Sequence, residues 1–343
     1  MRDHGFSWPS FGVFHQGWAT EERSDAEVLA DVIRSTVHAD RLGFDVAWFT
    51  EQHTRMFGAT WGRIAAPQLL IAHTAACTDR IGLGTAVRLI ADEDVLRIAE
   101  ELLTLDLLTE GRVQFGIGTG MGSFSQSPAE REARRETLRT RAVELARLLR
   151  GEAEVTPETF ALDVRDLSNR IHIATTDPHS MAMAAQEGFG YLAGMFGGRR
   201  HAQLVREFHE LGGRGVARAA RMVFVDDDDR TARRKVRAAA SYFWEHFTPP
   251  SPGWRKAALA AGPIHELDDI CAQLGWIVGG PASVAAHLAD YMITSGLDGV
   301  DLSFHVPGLD TDVADRAMEI FALTVRPEVV KIVHAAAEHT HPR

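Results

Sequence analysis

Among the 343 residues only a few clusters have types and spacings suited to chemistry. In Glu51-Gln52-His53 a carboxylate and an imidazole stand two residues apart, directly after a β-prone run. Histidine is the natural general base near neutral pH, whereas the intervening glutamine can hydrogen-bond but cannot shuttle a proton. Gly116, Gly118, Gly120 and Gly122 alternate after a second apolar run, and glycine lets backbone approach a ligand closely. Asp177-Pro178-His179-Ser180 opens a helix-like segment. A hydroxyl there sits where free N–H groups and the helix dipole favour an anion, and plain helix capping explains Ser180 equally well. Residues 226–229 are four aspartates, the oxygen ligands that a hard cation takes. Consecutive carboxylates cannot all point at one ion, however, and the run stands just before a helix whose N-terminus favours negative charge. No H-E-x-x-H or G-x-S-x-G occurs, and His339 and His341 fall in a terminal tail. No metal site is therefore expected. A site so short of acids, bases and metal ligands leaves the hard chemistry to a cofactor.

These residues need elements to hold them. Residues 80–122 are the clearest stretch: Ile81, Leu83, Thr85 and Val87 form a β-prone run, then Val95, Ile98, Ala99, Leu102, Leu103 and Leu105 recur at helical spacing. Gly111 stands at the expected helix end, and Val113, Phe115 and Ile117 make the next strand, so the stretch reads as one βαβ unit of a parallel sheet. Further strands are expected at 11–15, 45–50, 171–174, 191–196, 220–225 and 298–304. Helices are expected near 25–42, 64–78, 129–150, 180–188, 199–212, from 230, 281–296 and 312–337, the last broken or kinked at Pro327. The helix at 129–150 is rich in arginine, but glutamates intersperse its basic residues and it reads as a solvated face. Eight strands alternating with helices predict an α/β fold with a parallel sheet, closed as a TIM barrel or open and doubly wound. The first βα turn lacks G-x-G-x-x-G, and Met121 stands where the third glycine of 116–122 would belong, so a Rossmann dinucleotide site has no support.

Composition narrows the partners. The chain is 45% hydrophobic and 24% charged, which suits a single domain over 1–343 with insertions at about 151–170 and 247–278. A net charge of −11 argues against a nucleic-acid or anionic-membrane partner. No leader-like start and no membrane-length apolar run is found, and Cys77 and Cys271 lie far apart, so a cytoplasmic setting is expected.

The segment LGTAV followed by AEELLTLDLLTEGRVQFGIGTG resembles the signature of the bacterial luciferase-like flavin monooxygenases. Ala99-Glu100, Leu105-Asp106, Leu108-Thr109, Gly111-Arg112 and Gly116-Ile117-Gly118 stand at that family's motif positions. FGVF at 11–14, WFTEQH at 48–53, AAQEG at 184–188, GGPASVAAHL at 279–288 and the LDGVDLSF end extend the resemblance over nearly the whole chain, in order. It implies a (β/α)8 TIM barrel, whose active site lies at the C-terminal ends of the strands. Those ends carry His15, Glu51-Gln52-His53, residues 85–88, 118–122, 175–180 and 194–196, Asp226 and His305.

What the resemblance implies about the site follows residue by residue. The family's non-prolyl cis peptide under the flavin ring falls on Ala86-Val87. Its phosphate contacts fall on Thr119 and on Asp177, His179 and Ser180, and Glu51, Gly118, Met121 and Met195 are further cofactor-binding positions. An arginine of luciferases is Thr119 here, and a serine is Asp177, whose charge would repel phosphate, with Arg88, Arg199 or His179 as possible compensation. The Glu-His-His segment falls on Glu51-Gln52-His53: His53 is retained as the candidate base, and Gln52 replaces the histidine that assists catalysis. A His-Pro pair is Asp94-Val95. Phe57, Trp61, Phe124 and Met195, with Met121, are expected to wall a dry pocket. The implied activity is that of a two-component monooxygenase taking reduced FMN (FMNH2) from a flavin reductase, and O2. It would hydroxylate or Baeyer–Villiger oxidise a small organic substrate through a flavin C4a-(hydro)peroxide. A homodimer, with helices near 64–78 and 94–109 in contact, is expected. The rival readings are deazaflavin-dependent hydride transfer and flavin binding without catalysis.

Overall fold

The computed structural model describes residues 7–53, 62–120, 127–153, 160, 162–195, 198–246 and 266–340. Its strands are β1 (Ser10–His15), β2 (Val46–Phe49), β3 (Gly82–Arg88), β4 (Val113–Gly118), β5 (Ile171–Ala174), β6 (Gly190–Leu192), β7 (Ala217–Val225), β8 (Ile277–Gly279) and β9 (Gly299–Ser303). All pairings are parallel. The order β9–β1–β2–β3–β4–β5–β6–β7 closes because β7 also pairs with β9, in register from Gly299↔Arg218 to Ser303↔Met222. Eight strands thus make a closed (β/α)8 barrel. The helices between them are α1 (Asp25–Arg41), α2 (Pro67–Ala75), α3 (Val95–Leu108), α4 (Pro128–Leu149), α5 (Pro178–Glu187), α6 (Gly198–Glu210), α7 (Asp229–His246), α8 (Leu267–Leu274), α9 (Pro281–Ser295), α10 (Thr311–Ile320) and α11 (Arg326–Thr340).

Strand alternation builds two cores. In β4, Val113, Phe115 and Ile117 join the large core shared with the helices. The intervening Gln114 hydrogen-bonds His172 at 2.8 Å. A Cβ on Gly116 would stand 2.2 Å from the Thr85 carbonyl oxygen. The barrel interior is a smaller apolar cluster of Val46, Trp48 and Leu192, against which Phe14, Ala86, Val87 and Ala174 lie. Gly84 makes room for Trp48, since a Cβ there would meet the indole at 2.6 Å. Burying each large side chain contributes about 1.5–3 kcal/mol.

Local signals fix the helix ends. Ser24 and Ser127 begin α1 and α4 with reciprocal capping boxes to Glu27 and Glu130. Asp94 caps α3, which ends where Gly111 at φ 80° donates its N–H to the Asp106 carbonyl at 2.9 Å. Arg112 next to it donates to the carbonyls of Thr109, Ile81 and Ala75, so it joins the ends of α2 and α3 to the start of β3.

Four expectations change. A ninth strand exists: β8, with α8 before it, occupies part of the segment taken as an insertion, and it runs beside Val223, Phe224 and Val225 of β7. The sixth strand stops at Leu192 rather than 196, because Gly194 turns the chain at φ 80°. Helix α2 spans 67–75, its start set by Pro67 in the first turn. The final helix widens instead of breaking at Pro327: residues 321–325 form a π turn, and Arg326 N–H bonds Phe321 O just before the proline that lacks a donor.

Candidate active site at the barrel rim

The C-terminal ends of the strands converge on one rim. The Ala86–Val87 peptide at the end of β3 is cis. Beneath it lies a cavity of about 60 Å³ lined by Phe14, Trp48, Ala174 and Leu192 among others. The small side chain of Ala86 and the bare backbone of Gly118 keep this surface low, and a Cβ on Gly118 would press Val87 at 2.9 Å.

Beside it stands a charged clamp. Glu51, whose side chain is 2% exposed, accepts from Arg88 Nη1 at 3.0 and 3.2 Å and from Leu89 N–H at 3.0 Å. His53 Nε2 lies 2.7 Å from Glu51 Oε1. A carboxylate that accepts here fixes the proton on Nε2 and leaves Nδ1 as an acceptor, in a side chain that is 55% exposed. Arg88 also pairs with Glu101 and Glu93. Burial alone would lower its pKa, but the hydrogen bond and charge of Glu101, with Glu51 and Glu93, outweigh it and hold the pKa above the ordinary value. Arg88 is therefore engaged by carboxylates and is not available to compensate Asp177.

Gln52 meets the chain at residues 62–64. Its backbone N–H bonds Ile64 O at 2.9 Å, and its amide passes over Gly62, where a Cβ would come within 2.3 Å of Oε1. That buried Oε1 has no hydrogen-bond partner among the described residues. A buried acceptor without a donor carries a desolvation cost of about 1–3 kcal/mol, and it suits an N–H-bearing ligand.

The anticipated phosphate positions look different from the sequence reading. Asp177 caps α5, and its Oδ2 takes both the N–H and the hydroxyl of Ser180 at 2.8 Å. Arg139 of α4 reaches the same oxygen at 3.0 Å. Burial pushes the Asp177 pKa up, but the bonds from Ser180 and the charges of Arg139 and Arg135 bring it below the usual value. The chain's own carboxylate thus occupies the donors of this helix start. Thr119 follows β4 half-buried, and its carbonyl accepts from Arg134 Nε at 3.3 Å. Arg134 and Arg139, which the sequence reading left on a solvated face, point to the rim. No local signal marks them: Arg139 continues the i, i+4 row of Arg131 and Arg135, and only its distant partner Asp177 sets it apart. His179 is exposed. Met121, Phe57, Trp61 and Phe124 lie outside the described residues, as does the side chain of Arg199.

Across the mouth, Gln16 Nε2 lies 3.5 Å from Met195 Sδ, while its Oε1 accepts from Ser303 Oγ at 2.9 Å. The Met195 carbonyl accepts from buried Arg221 at 2.5 Å. The four aspartates are spent separately: Asp226 pairs with Lys235 at 2.5 Å, Asp227 lies 3.9 Å from Arg316, Asp228 caps at Thr231, and Asp229 bonds Gly280 N–H and Ser283 Oγ.

Comparisons with known proteins agree with this architecture. The model of the luciferase-like monooxygenases matches residues 10–298. Limonene 1,2-monooxygenase of Rhodococcus erythropolis is 26% identical over 347 residues, covering 94% of this chain and 87% of that protein. The oxygenating constituent of 3,6-diketocamphane monooxygenase from Pseudomonas putida, solved with FMN, superposes at a TM-score of 0.75 with 19% identity, over 94% of this chain and 99% of that one. An F420-dependent secondary alcohol dehydrogenase also shares the fold, at a TM-score of 0.64 and 15% identity over 93% of this chain and 98% of its own. With a family model matched over most of its length, the chain belongs to the luciferase-like monooxygenases.

Proposed function

We propose that this protein is the oxygenating component of a two-component system: a monooxygenase that binds reduced FMN delivered by a flavin reductase and uses O2 to hydroxylate, or insert oxygen into, a small organic substrate. Reduced flavin would supply the electrons that activate O2. The observation that carries the reading, within this family, is the low surface of Ala86, Val87 and Gly118, together with the Gln52 acceptor, which has no partner among the described residues and follows the neighbouring strand β2. A reduced flavin ring carries N–H donors to satisfy that acceptor and a flat face to fit that surface.

The remaining roles belong to the chain. His53 Nδ1 takes a proton, and Glu51, held by Arg88 and Leu89 N–H, orients the imidazole in the manner of a base and its orienting carboxylate. Phe14 and Met195 keep water from the reacting centre. The flavin phosphate would meet Thr119 and Arg134 rather than the donors that Asp177 fills, so its contribution to binding is small. The deazaflavin reading keeps the same ring seat, and its support is the fold shared with the F420-dependent dehydrogenase.

A second copy of the chain would pack on α2 and α3. Leu69 and Leu108, 70% and 54% exposed, flank a groove of about 520 Å³ that also touches Ala72, Leu105 and Leu162. Exposed leucines rimmed by polar residues, here Gln68, Arg97 and Glu100, mark a protein contact.

The test is to titrate photoreduced FMN into the protein without oxygen, admit oxygen, and follow absorbance between about 370 and 450 nm, the window of flavin spectra. Tight binding with slow, substrate-dependent return of the oxidised spectrum is expected. Absence of FMN binding together with binding and turnover of deazaflavin would replace the proposal by hydride transfer.

A further inference from the structure

Between α1 and the connection from β9 to α10 lies a cavity of about 360 Å³. Its wall is apolar at Phe14, Val28, Val32 and Leu309 and polar at His15 and Ser35. Phe14 also lines the small space under Ala86, so its ring stands between the two cavities. The charged groups at the cavity edge are already matched. Arg23 Nη2 meets Asp31 Oδ2 at 2.5 Å, Arg34 reaches the other oxygen of Asp31 at 3.0 Å, and Asp310 caps α10.

Among the described residues, Ser35 Oγ and His305 Nε2 of the wall make no hydrogen bond, although His305 Nε2 stands 3.5 Å from Asp315 Oδ1, and His15 keeps one ring nitrogen open. Ser35 is 1% exposed, and its hydroxyl has no hydrogen-bond partner among the described residues. His15 is 5% exposed, with Nε2 3.1 Å from Thr36 Oγ1. The Thr36 hydroxyl gives its own proton to Val32 O at 2.8 Å, so it accepts from His15 Nε2–H, and Nδ1 is left as a bare acceptor. Burial, with His305 close by, pushes the His15 pKa down to about 3, which keeps the ring neutral.

We propose that this cavity binds a small neutral alcohol, whose hydroxyl donates to His15 Nδ1 and accepts from Ser35 while its hydrocarbon body lies on the apolar wall. A ketone has no proton for Nδ1, and a carboxylate finds no unpaired cation among the described residues of the wall. At about 30 Å³ per water-sized group, the volume holds about a dozen heavy atoms, the lower end of small-molecule sites. The site needs no flavin, so it stands apart from the redox reading above.

The test is calorimetric titration of the full chain, without flavin, using 4-tert-butylcyclohexanol, 4-tert-butylcyclohexanone and 4-tert-butylcyclohexanecarboxylate. The alcohol is expected to bind about tenfold or more tighter than the ketone, the scale of one hydrogen bond left unmade, and the carboxylate least. Ser35→Ala and His15→Phe should each bring alcohol and ketone toward parity; the phenyl ring retains the stacking on Phe49. Val28→Trp should fill the cavity and remove binding of both. Thermal melts confirm that each variant is folded, and Ser35→Ala, the mildest, carries the comparison if another is not. No binding of the alcohol, equal affinity for alcohol and ketone in the unaltered chain, or an unchanged preference in folded Ser35→Ala would overturn the proposal. FMN titration of the same preparations reads the redox proposal separately.

Discussion

Glu51 Oε1 and His53 Nε2 lie 2.7 Å apart, and the same carboxylate is gripped by Arg88. The imidazole is thus oriented by a group that is itself immobile. His53→Gln should lower kcat by about 10²–10⁴-fold, the usual contribution of a general base, with little change in melting temperature because the side chain is half exposed. Steady-state rates and a thermal melt check both halves.

Glu51→Gln behaves differently. It weakens the orientation of His53 and leaves Arg88 with Glu101 and Glu93 alone, so stability should fall by about 1–3 kcal/mol along with the rate. Urea denaturation measures the first effect. A rate loss without any stability loss would mean that the carboxylate is not buried against Arg88 in solution.

Asp177→Ala should cost about 1 kcal/mol through the lost cap of α5. It also frees the Ser180 N–H and hydroxyl and the Arg139 guanidinium for an anion. FMN should then bind more tightly relative to riboflavin, which lacks the phosphate. An unchanged ratio would show that the flavin phosphate lies elsewhere.

His15 gives stability a particular pH dependence. Its pKa is lowered from 6.5 to about 3 in the folded chain, so below 6.5 the unfolded state binds the extra proton. Stability from this group is full above about pH 6.5 and falls toward pH 3, by up to about 1.4 kcal/mol per pH unit. His15→Gln should flatten the urea midpoint between pH 6 and 4, measured at about half-unit steps.

Leu108→Glu places a charge on the apolar face of α2 and α3. It should convert a dimer to monomer by sedimentation while leaving the fold intact, because the side chain is 54% exposed. A dimer unaffected by this change must use another face.

The barrel was legible because its signals are local. Gly111 and Arg112 are read next to each other, and each acts within one βαβ unit: Gly111 ends α3, and Arg112 ties α2, α3 and β3 together. The cis position at Ala86–Val87 came from the family resemblance, not from spacing. The state of Asp177 was not legible. Its charge reads as repulsive beside a phosphate, yet its partner Arg139 stands 38 residues away on a helix that looks merely solvated. Likewise Arg88 looked free in sequence, and only the barrel brings Glu51 and Glu101 to it. The ninth strand was hidden because three residues are too few to show a period.

The contact from Ser303 to Gln16 spans 287 positions of the chain, and Gln16 in turn meets Met195. A nascent chain therefore has no finished mouth until its last barrel strand has emerged and docked. Everything made before that point is an open-edged sheet with its ligand surface unassembled, so premature binding is prevented by chain order itself.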